Sequence, residues 1–426
     1  MMVNEERLVG QEIILALRSG AVPQRALAHV AVFDTAIWSE IDEHLSYVKM
    51  GRSSFKFICG DYGTGKTFYC YAIADHALQA GYATSVVDVS QGIFSSPLSM
   101  YRFLMQNLRV HEKRTASAVS DILERWLFRL QKKLEKIDGL KIIGTTKDQA
   151  LAQFGKAIEK ELAEFGQKDI TLANVVKAYF YGKVRRDETL CEAALKWLKA
   201  NTNLTNDEKK ILGLRRDIDD ESVPTLMKAF ASIIRKAGYS GWLLVFDELT
   251  VIQRLSNLKQ REESYEILRK YVDDIAAAEY QGCFFIFAGT PKLFEDPKYG
   301  IKSHKALYER IMSPEILPGF SSAKENILRL KGFDAQSIVA VARKIITLHS
   351  LVYEWNPGDK VSEAFLNKLS VYMTTSFGDR IKEKPRKVLR ELIHFLDILR
   401  ENPDLDPEAY LKEKEPAFLA EMEESS

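Results

Sequence analysis

Gly60-Asp61-Tyr62-Gly63-Thr64-Gly65-Lys66-Thr67 is the stretch on which the fold of this chain turns. An apolar, strand-like run (Phe55 to Cys59) leads into it, and a helical pattern (Lys66 to Ala80, stopped by Gly81) leads out. The stretch therefore fits GxxxxGK[ST] in the strand, loop and helix setting where that pattern has a mechanism. The mechanism is anion capture. Gly60, Gly63 and Gly65 accept backbone angles that other residues resist, so successive N–H groups can turn inward round phosphate oxygens at the positive end of the following helix. Lys66 brings a point charge to the β- and γ-phosphates, and the Thr67 hydroxyl suits Mg²⁺. Asp61, Tyr62, Thr64 and, just behind, Phe68 complete the expected contacts with ATP. The bland alternative is a glycine-rich connector that holds no ligand.

Further along, Trp242-Leu243-Leu244-Val245-Phe246-Asp247-Glu248 reads as a buried strand ending in two adjacent carboxylates. In a parallel sheet, ligands gather at the carboxyl ends of the strands, so these acids emerge on the rim that carries the glycine loop. Asp247 is suited to hold Mg²⁺, and Glu248 to polarise the water that attacks the γ-phosphate. Another strand ends Phe287-Ala288-Gly289-Thr290-Pro291 and puts the Thr290 hydroxyl on the same rim, unless Thr290 is only a turn residue before Pro291. Arg310 is placed to reach a neighbouring subunit's γ-phosphate, and Arg386, opening a late helix, to reach the phosphates from above. Either arginine serves equally well as a surface ion-pair partner.

Five apolar runs read as strands: Phe55 to Cys59, Thr84 to Val89, Trp242 to Phe246, Cys283 to Ala288 and Asn326 to Leu330. Most are apolar at consecutive positions, the pattern of strands covered by helices on both faces, which predicts a parallel α/β sheet. Helices are expected at Lys66 to Ala80, at Pro97 to Leu108 with Ser96 as cap, and at Gln260 to Glu279. From Tyr101 to Glu221 no strand is expected. Helical periodicity recurs there instead, through Ile122, Trp126 and Leu130, then Phe154 and Ile158, then Val175, Val176 and Tyr179, which predicts a helical insertion. Its apolar faces pack on one another or on the sheet, or else dock a partner; its basic residues, Lys132, Lys133, Lys136, Arg185 and Arg186 among them, read first as solvated faces. Helices at Asp334 to Ser350, Val361 to Met373 and Pro385 to Arg400 close the fold. The expected organisation is an N-terminal helical segment (1–50), a core (51–332) interrupted by the insertion (101–221), a C-terminal helical unit (333–400) and an acidic tail (401–426).

Composition narrows the function. Sixty basic residues stand against 59 acidic ones, a net charge of +1, which disfavours a dedicated nucleic-acid coat or a polybasic membrane binder. No apolar stretch approaches the roughly 20 residues that a membrane-spanning helix needs, and the N-terminus does not resemble a secretory signal. Cys59, Cys70, Cys191 and Cys283 show no metal-binding spacing and are expected as buried thiols in a cytoplasmic protein. The last 26 residues hold nine acidic and two basic side chains and read as a solvated extension.

In this order, these residues resemble the AAA+ ATPases of the ASCE P-loop class: Walker A at Gly60 to Thr67, Walker B at Asp247 and Glu248, a sensor-1-like Thr290, a finger-like Arg310 and a sensor-2-like Arg386 in a helical lid. The resemblance implies a five-stranded parallel sheet of order 5-1-4-3-2 with helices on both faces. More narrowly, Val22-Pro23, Phe55 to Phe68, Ala237-Gly238-Tyr239-Ser240-Gly241, Phe287 to Pro291 and Pro385-Arg386 are similar to the ATP-binding proteins of bacterial BREX phage-defence systems, the BrxC/BrxD type. That resemblance implies an ATP- and Mg²⁺-dependent ATPase switch or motor in antiviral defence. It would self-associate or act on other defence-system proteins, with DNA contacted weakly or indirectly. Related origin-recognition-type proteins carry a DNA-binding winged helix after the lid; 26 residues, rich in acid, follow Arg400 here, so autonomous duplex binding through such a domain is not expected. Thr290 can make fewer hydrogen bonds than the asparagine often found at sensor 1, which fits slow hydrolysis. The rival from another class is a nucleotide-sensing scaffold that hardly hydrolyses ATP and docks partners through its insertion. A small-molecule P-loop kinase is disfavoured by the Asp247-Glu248 pair and the late arginines.

Overall fold

The computed structural model describes residues 2–23, 27–89, 94, 96–138, 148–166, 171–201, 203–214, 217–313, 322–330, 335–374 and 385–410. Two helices come first, α1 (Met2–Arg18) and α2 (Thr35–Lys49), the latter capped by Asp34, whose carboxylate accepts from Ala36 N–H at 2.9 Å. Strand β1 (Ser54–Cys59), helix α3 (Lys66–Gln79) and strand β2 (Ala83–Asp88) follow. Helix α4 (Pro97–Gln106) starts where Ser96 accepts from Ser99 N–H at 3.1 Å and Pro97, without an N–H, takes the first turn. After β3 (Leu108–Arg109) come six helices: α5 (Val119–Asp138), α6 (Asp148–Glu161), α7 (Ala163–Gly166), α8 (Thr171–Arg185), α9 (Glu188–Leu198) and α10 (Asn206–Ile211). The chain returns through α11 (Val223–Lys236), β4 (Trp242–Asp247), α12 (Leu258–Ala276), β5 (Cys283–Gly289), α13 (Pro291–Glu295), α14 (Lys305–Ile311) and β6 (Ile327–Arg329). It then runs on in α15 (Ala335–Tyr353), α16 (Glu363–Thr374) and α17 (Pro385–Glu401).

The sheet has six strands in the order β3-β2-β4-β5-β1-β6. Five are parallel and, numbered among themselves along the chain, run 5-1-4-3-2 from the β6 edge. The expectation of five strands is corrected by β3, which pairs antiparallel with β2 (Thr84 opposite Arg109, Ser85 opposite Leu108) and lies where no strand was expected. Helix α4 stops at Gln106, capped by Asn107, and the next two residues turn onto the sheet edge. Two residues contain no periodicity to read.

Both faces of the sheet are covered. One buries Ile58, Val245, Ile286 and Ala288 under α2 and α3. The other carries a run of rings, with Phe287 stacked on Phe57 at 5.0 Å and on Phe246 at 5.2 Å, under helices that include α4, α11 and α12. Burying each such ring contributes about 2–3 kcal/mol, which is why the strands carry apolar residues at consecutive positions. The apolar faces of α5, α6 and α8 join that second cluster through Trp126, Phe154 and Tyr179. Several of the helices' basic groups are paired, Lys133 with Glu161 at 2.8 Å and Lys183 with Glu124 at 2.6 Å.

Helix α1 packs with α15 and α17 at the other end of the chain, in a cluster that includes Ile13, Ile14, Leu17, Ile345 and Ile393. Arg18 holds them polar-side: it donates to Asp397 at 2.9 and 3.0 Å and to the Tyr353 hydroxyl at 2.8 Å. Buried His349 bridges Asp397 (3.1 Å) and the Trp355 indole N–H (2.8 Å). An indole nitrogen can only donate, so Nδ1 of His349 accepts and Nε2 carries the proton given to Asp397. Burial pushes the His349 pKa below its ordinary 6.5, against the pull of Asp397.

Candidate nucleotide site

The loop between β1 and α3 takes its shape from two left-handed glycines, Gly63 and Gly65, both at φ 89°. Gly60 is not left-handed, contrary to expectation; its need for glycine is steric, because a Cβ there would lie 2.3 Å from the Thr64 hydroxyl. The Thr64 N–H is spent inside the loop on Asp61 O (3.2 Å). Among the described residues, the N–H groups of Gly63, Gly65, Lys66 and Thr67 find no protein acceptor. Four donors converging at a helix start form an anion-binding nest.

Lys66 is buried and donates to the carbonyls of Gly60 (2.8 Å) and Asp61 (2.9 Å). Burial lowers its pKa, while Glu248 and Asp247 act in the opposite sense. Asp247, at the end of β4, is also buried. Burial raises its pKa, opposed by hydrogen bonds from the Thr67 side chain and from Glu248 N–H (2.9 Å). A buried ammonium and a buried carboxylate thus face the same loop, each short of full solvation. A hydroxyl beside a carboxylate, with room for phosphate oxygens, fits a small hard cation. No group of three or more His, Cys, Asp or Glu with metal-binding geometry exists among the described residues, and Mg²⁺ held largely by phosphate and water needs none. Glu248 sits at φ 57° and ψ 39°, a left-handed conformation that costs a non-glycine residue on the order of 1 kcal/mol and marks functional positions more often than others.

A cavity of about 250 Å³ opens over the loop. Its polar wall is Tyr62, Gly63, Gly65, Lys66, Thr67 and Glu248. The opposite wall is apolar and comes from distant segments: Leu17 at the end of α1, Val22-Pro23 and Val32 after it, Val341 on α15 and Leu389 on α17. Phe68 also lines it and packs against Phe33 at 6.0 Å, which in turn stacks on Trp38 at 4.1 Å.

The other expected residues lie at varying distance from this cavity. Gly60, Asp61 and Thr64 belong to the loop but do not line it. Thr290 is buried behind the rim, its N–H donating to the Thr250 hydroxyl at 3.0 Å and its own hydroxyl 3.3 Å from the same oxygen. Arg310 does not line the cavity. Its guanidinium pairs with Asp273 on α12 and donates to Ala306 O at 2.6 Å. Arg386 begins α17, one turn before Leu389; its side chain lies outside the described set.

Two residues were missed. Thr250, just after the acidic pair, engages Thr290 across the strand ends; only a hydroxyl so close to the acids hinted at it. Arg254 closes the same turn, donates to the Tyr62 hydroxyl and lies 5.7 Å from that ring's centroid, with Lys66 at 5.3 Å from the same ring. Nothing in sequence spacing joins positions 62 and 254.

Cys59, Cys70 and Cys283 are buried and free, as expected, whereas Cys191 is half-buried. No helix among the described residues is long and apolar enough to cross a membrane. A known family, described as BREX system ATP-binding protein BrxC/D, matches residues 6–415. No curated protein matches the chain.

Proposed function

The chain belongs to the BREX system ATP-binding protein BrxC/D family, and from that premise we propose that it is an ATP-hydrolysing switch of the AAA+ type serving phage defence. One observation carries the proposal: four unpartnered N–H groups, a buried ammonium and, by way of Thr67, a buried carboxylate from a distant strand meet at one wall of one cavity. The triphosphate lies on the loop. Lys66 leaves the carbonyls of Gly60 and Asp61 for the β- and γ-phosphates, while the N–H groups of Gly63 to Thr67 take the remaining oxygens. Thr67 and Asp247 are the residues that would hold Mg²⁺, which when bound supplies charge neutralisation at the β- and γ-phosphates. Glu248 orients the attacking water and accepts its proton. Thr290 fixes the rim through Thr250, and Arg310, once released from Asp273, reaches the γ-phosphate of a neighbouring copy.

In domain terms, residues 51–332 are the ATPase core with its helical insertion at 101–221, and 333–400 are a lid that α1 joins through Arg18 and Asp397. The base lies between the apolar segments from α1 and the lid, so hydrolysis changes how lid and core meet. The output is remodelling or recruitment of defence partners, with DNA touched at most indirectly. Glu248→Gln tests this directly: turnover should fall on the order of 100-fold with ATP affinity retained, since a general base contributes about that much. A scaffold that only senses nucleotide would keep its defence activity in the same variant.

A further inference from the structure

A second cavity, of about 500 Å³, lies on the far side of the Val22-Pro23 segment that also walls the nucleotide cavity. Its floor is the antiparallel edge of the sheet, where Thr84 and Arg109 are direct partners. Cross-strand partners project to one face, and here both side chains line the cavity opposite Tyr71 and Leu78 of α3. Arg109 is half-buried and its pKa is lowered by burial. Among the described residues its only partners are two carbonyls, Gln106 O at 2.8 Å and Leu108 O at 3.1 Å, both on one nitrogen. No carboxylate among the described residues balances it. Thr84 is 2% exposed, and its hydroxyl makes no hydrogen bond among the described residues. A half-buried guanidinium without a counter-charge is costly in a folded protein unless something else fills the gap, and the Thr84 hydroxyl beside it opens onto the cavity. The other lining charges are settled differently. Arg114 is paired with buried Asp75 at 2.5 Å, and Glu12, exposed at the rim, has a partner of its own.

We propose that this cavity binds a small phosphorylated ligand, with Arg109 and the Thr84 hydroxyl holding the phosphate and the apolar face of α1 and α3 holding the rest. A volume of this size is ordinary for a small-molecule site, and an unbalanced guanidinium fork beside a free hydroxyl matches a phosphate group. The site does not depend on the phosphate loop.

Calorimetric titration of the full chain with pyrophosphate, in the wild type, in Lys66→Ala and in further variants made on the Lys66→Ala background, tests it. Lys66→Ala should keep one pyrophosphate site. Arg109→Gln on that background should weaken it tenfold or more, Arg109→Lys should recover part of the loss, and the nearly isosteric Thr84→Val should weaken it severalfold without touching the edge-strand pairing. Absence of pyrophosphate binding in Lys66→Ala, or binding indifferent to Arg109→Gln and Thr84→Val, overturns the proposal. So does a chain that ignores pyrophosphate but binds duplex DNA through Arg109, which would make this edge a nucleic-acid surface.

Discussion

The two walls of the candidate nucleotide cavity are built in opposite ways. The polar wall is compact in sequence: one loop and helix start, Tyr62 to Thr67, met by Glu248 from the strand end two places across the sheet, with Asp247 behind Thr67. The apolar wall is assembled from Leu17, Val22, Val32, Val341 and Leu389, contributed by opposite ends of the chain and held together by Arg18, Asp397 and His349. Phosphate recognition needs donors held at fixed positions within hydrogen-bond distance of the oxygens, which one rigid turn supplies. Covering a base needs only apolar area, which any nearby helices can supply. Position is therefore constrained on one wall and composition on the other.

If that contrast holds, Lys66→Ala is the most damaging change. It should lower affinity for ATP and for tripolyphosphate alike by an order of magnitude or more, both read as displacement of a fluorescent ATP analogue. Equal binding by wild type and variant would remove the polar wall from the account. Leu389→Ala should separate the walls, weakening ATP severalfold through lost apolar contact while leaving tripolyphosphate unchanged. A parallel loss of both ligands would mean that α17 acts on the loop and not on the base. Smaller still in its effect on binding is Arg310→Ala: ATP affinity should stay within about twofold while turnover per subunit falls, most visibly at concentrations where copies associate. A variant that loses affinity instead would place Arg310 in its own subunit's site.

The walls should also part company in acid. His349 has a lowered pKa from burial and is held neutral between Asp397 and Trp355, with Arg18 and Arg400 nearby. A group neutral in the fold but protonated when unfolded costs stability as pH falls below its ordinary 6.5, so the α1, α15 and α17 layer should loosen there. On the sheet side, burial tends to raise the Glu40 pKa, but hydrogen bonds from Lys324 and Lys56 hold it down to about 2. Its contribution is complete above 4.5 and is lost only as pH falls from there towards 2. Hydrogen exchange at pH 5.5 should show reduced protection in α1 and α17 with β1 and β5 unaffected; uniform protection would show that the two layers are one cooperative unit.

The same contrast explains what could be read in advance. The five parallel strands were legible because consecutive apolar residues report burial on both faces, and the turn between β1 and α3 because its glycines are local. The insertion was legible as helices, since Trp126, Phe154 and Tyr179 recur at helical spacing. Strand β3 was not, being two residues long. Nor was the partnership of Arg18 with Asp397, or of Tyr62 with Arg254, because an ion pair or a ring contact leaves no trace in spacing when its members lie far apart in the chain. Arg310 was read as a finger or, equally, as a surface ion-pair partner; the sequence could not name the partner, which the structure shows to be Asp273.

The central claim is that the loop's free N–H groups grip a triphosphate while Asp247 and Thr67 stand ready for its metal. A crystal structure of the chain with Mg²⁺ and a slowly hydrolysed ATP analogue tests it most directly. The account predicts phosphate oxygens within hydrogen-bond distance of the N–H groups of Gly63, Gly65, Lys66 and Thr67, with the metal on the Thr67 hydroxyl. Nucleotide bound elsewhere, or bound here with Lys66 still on the carbonyls of Gly60 and Asp61, would contradict it.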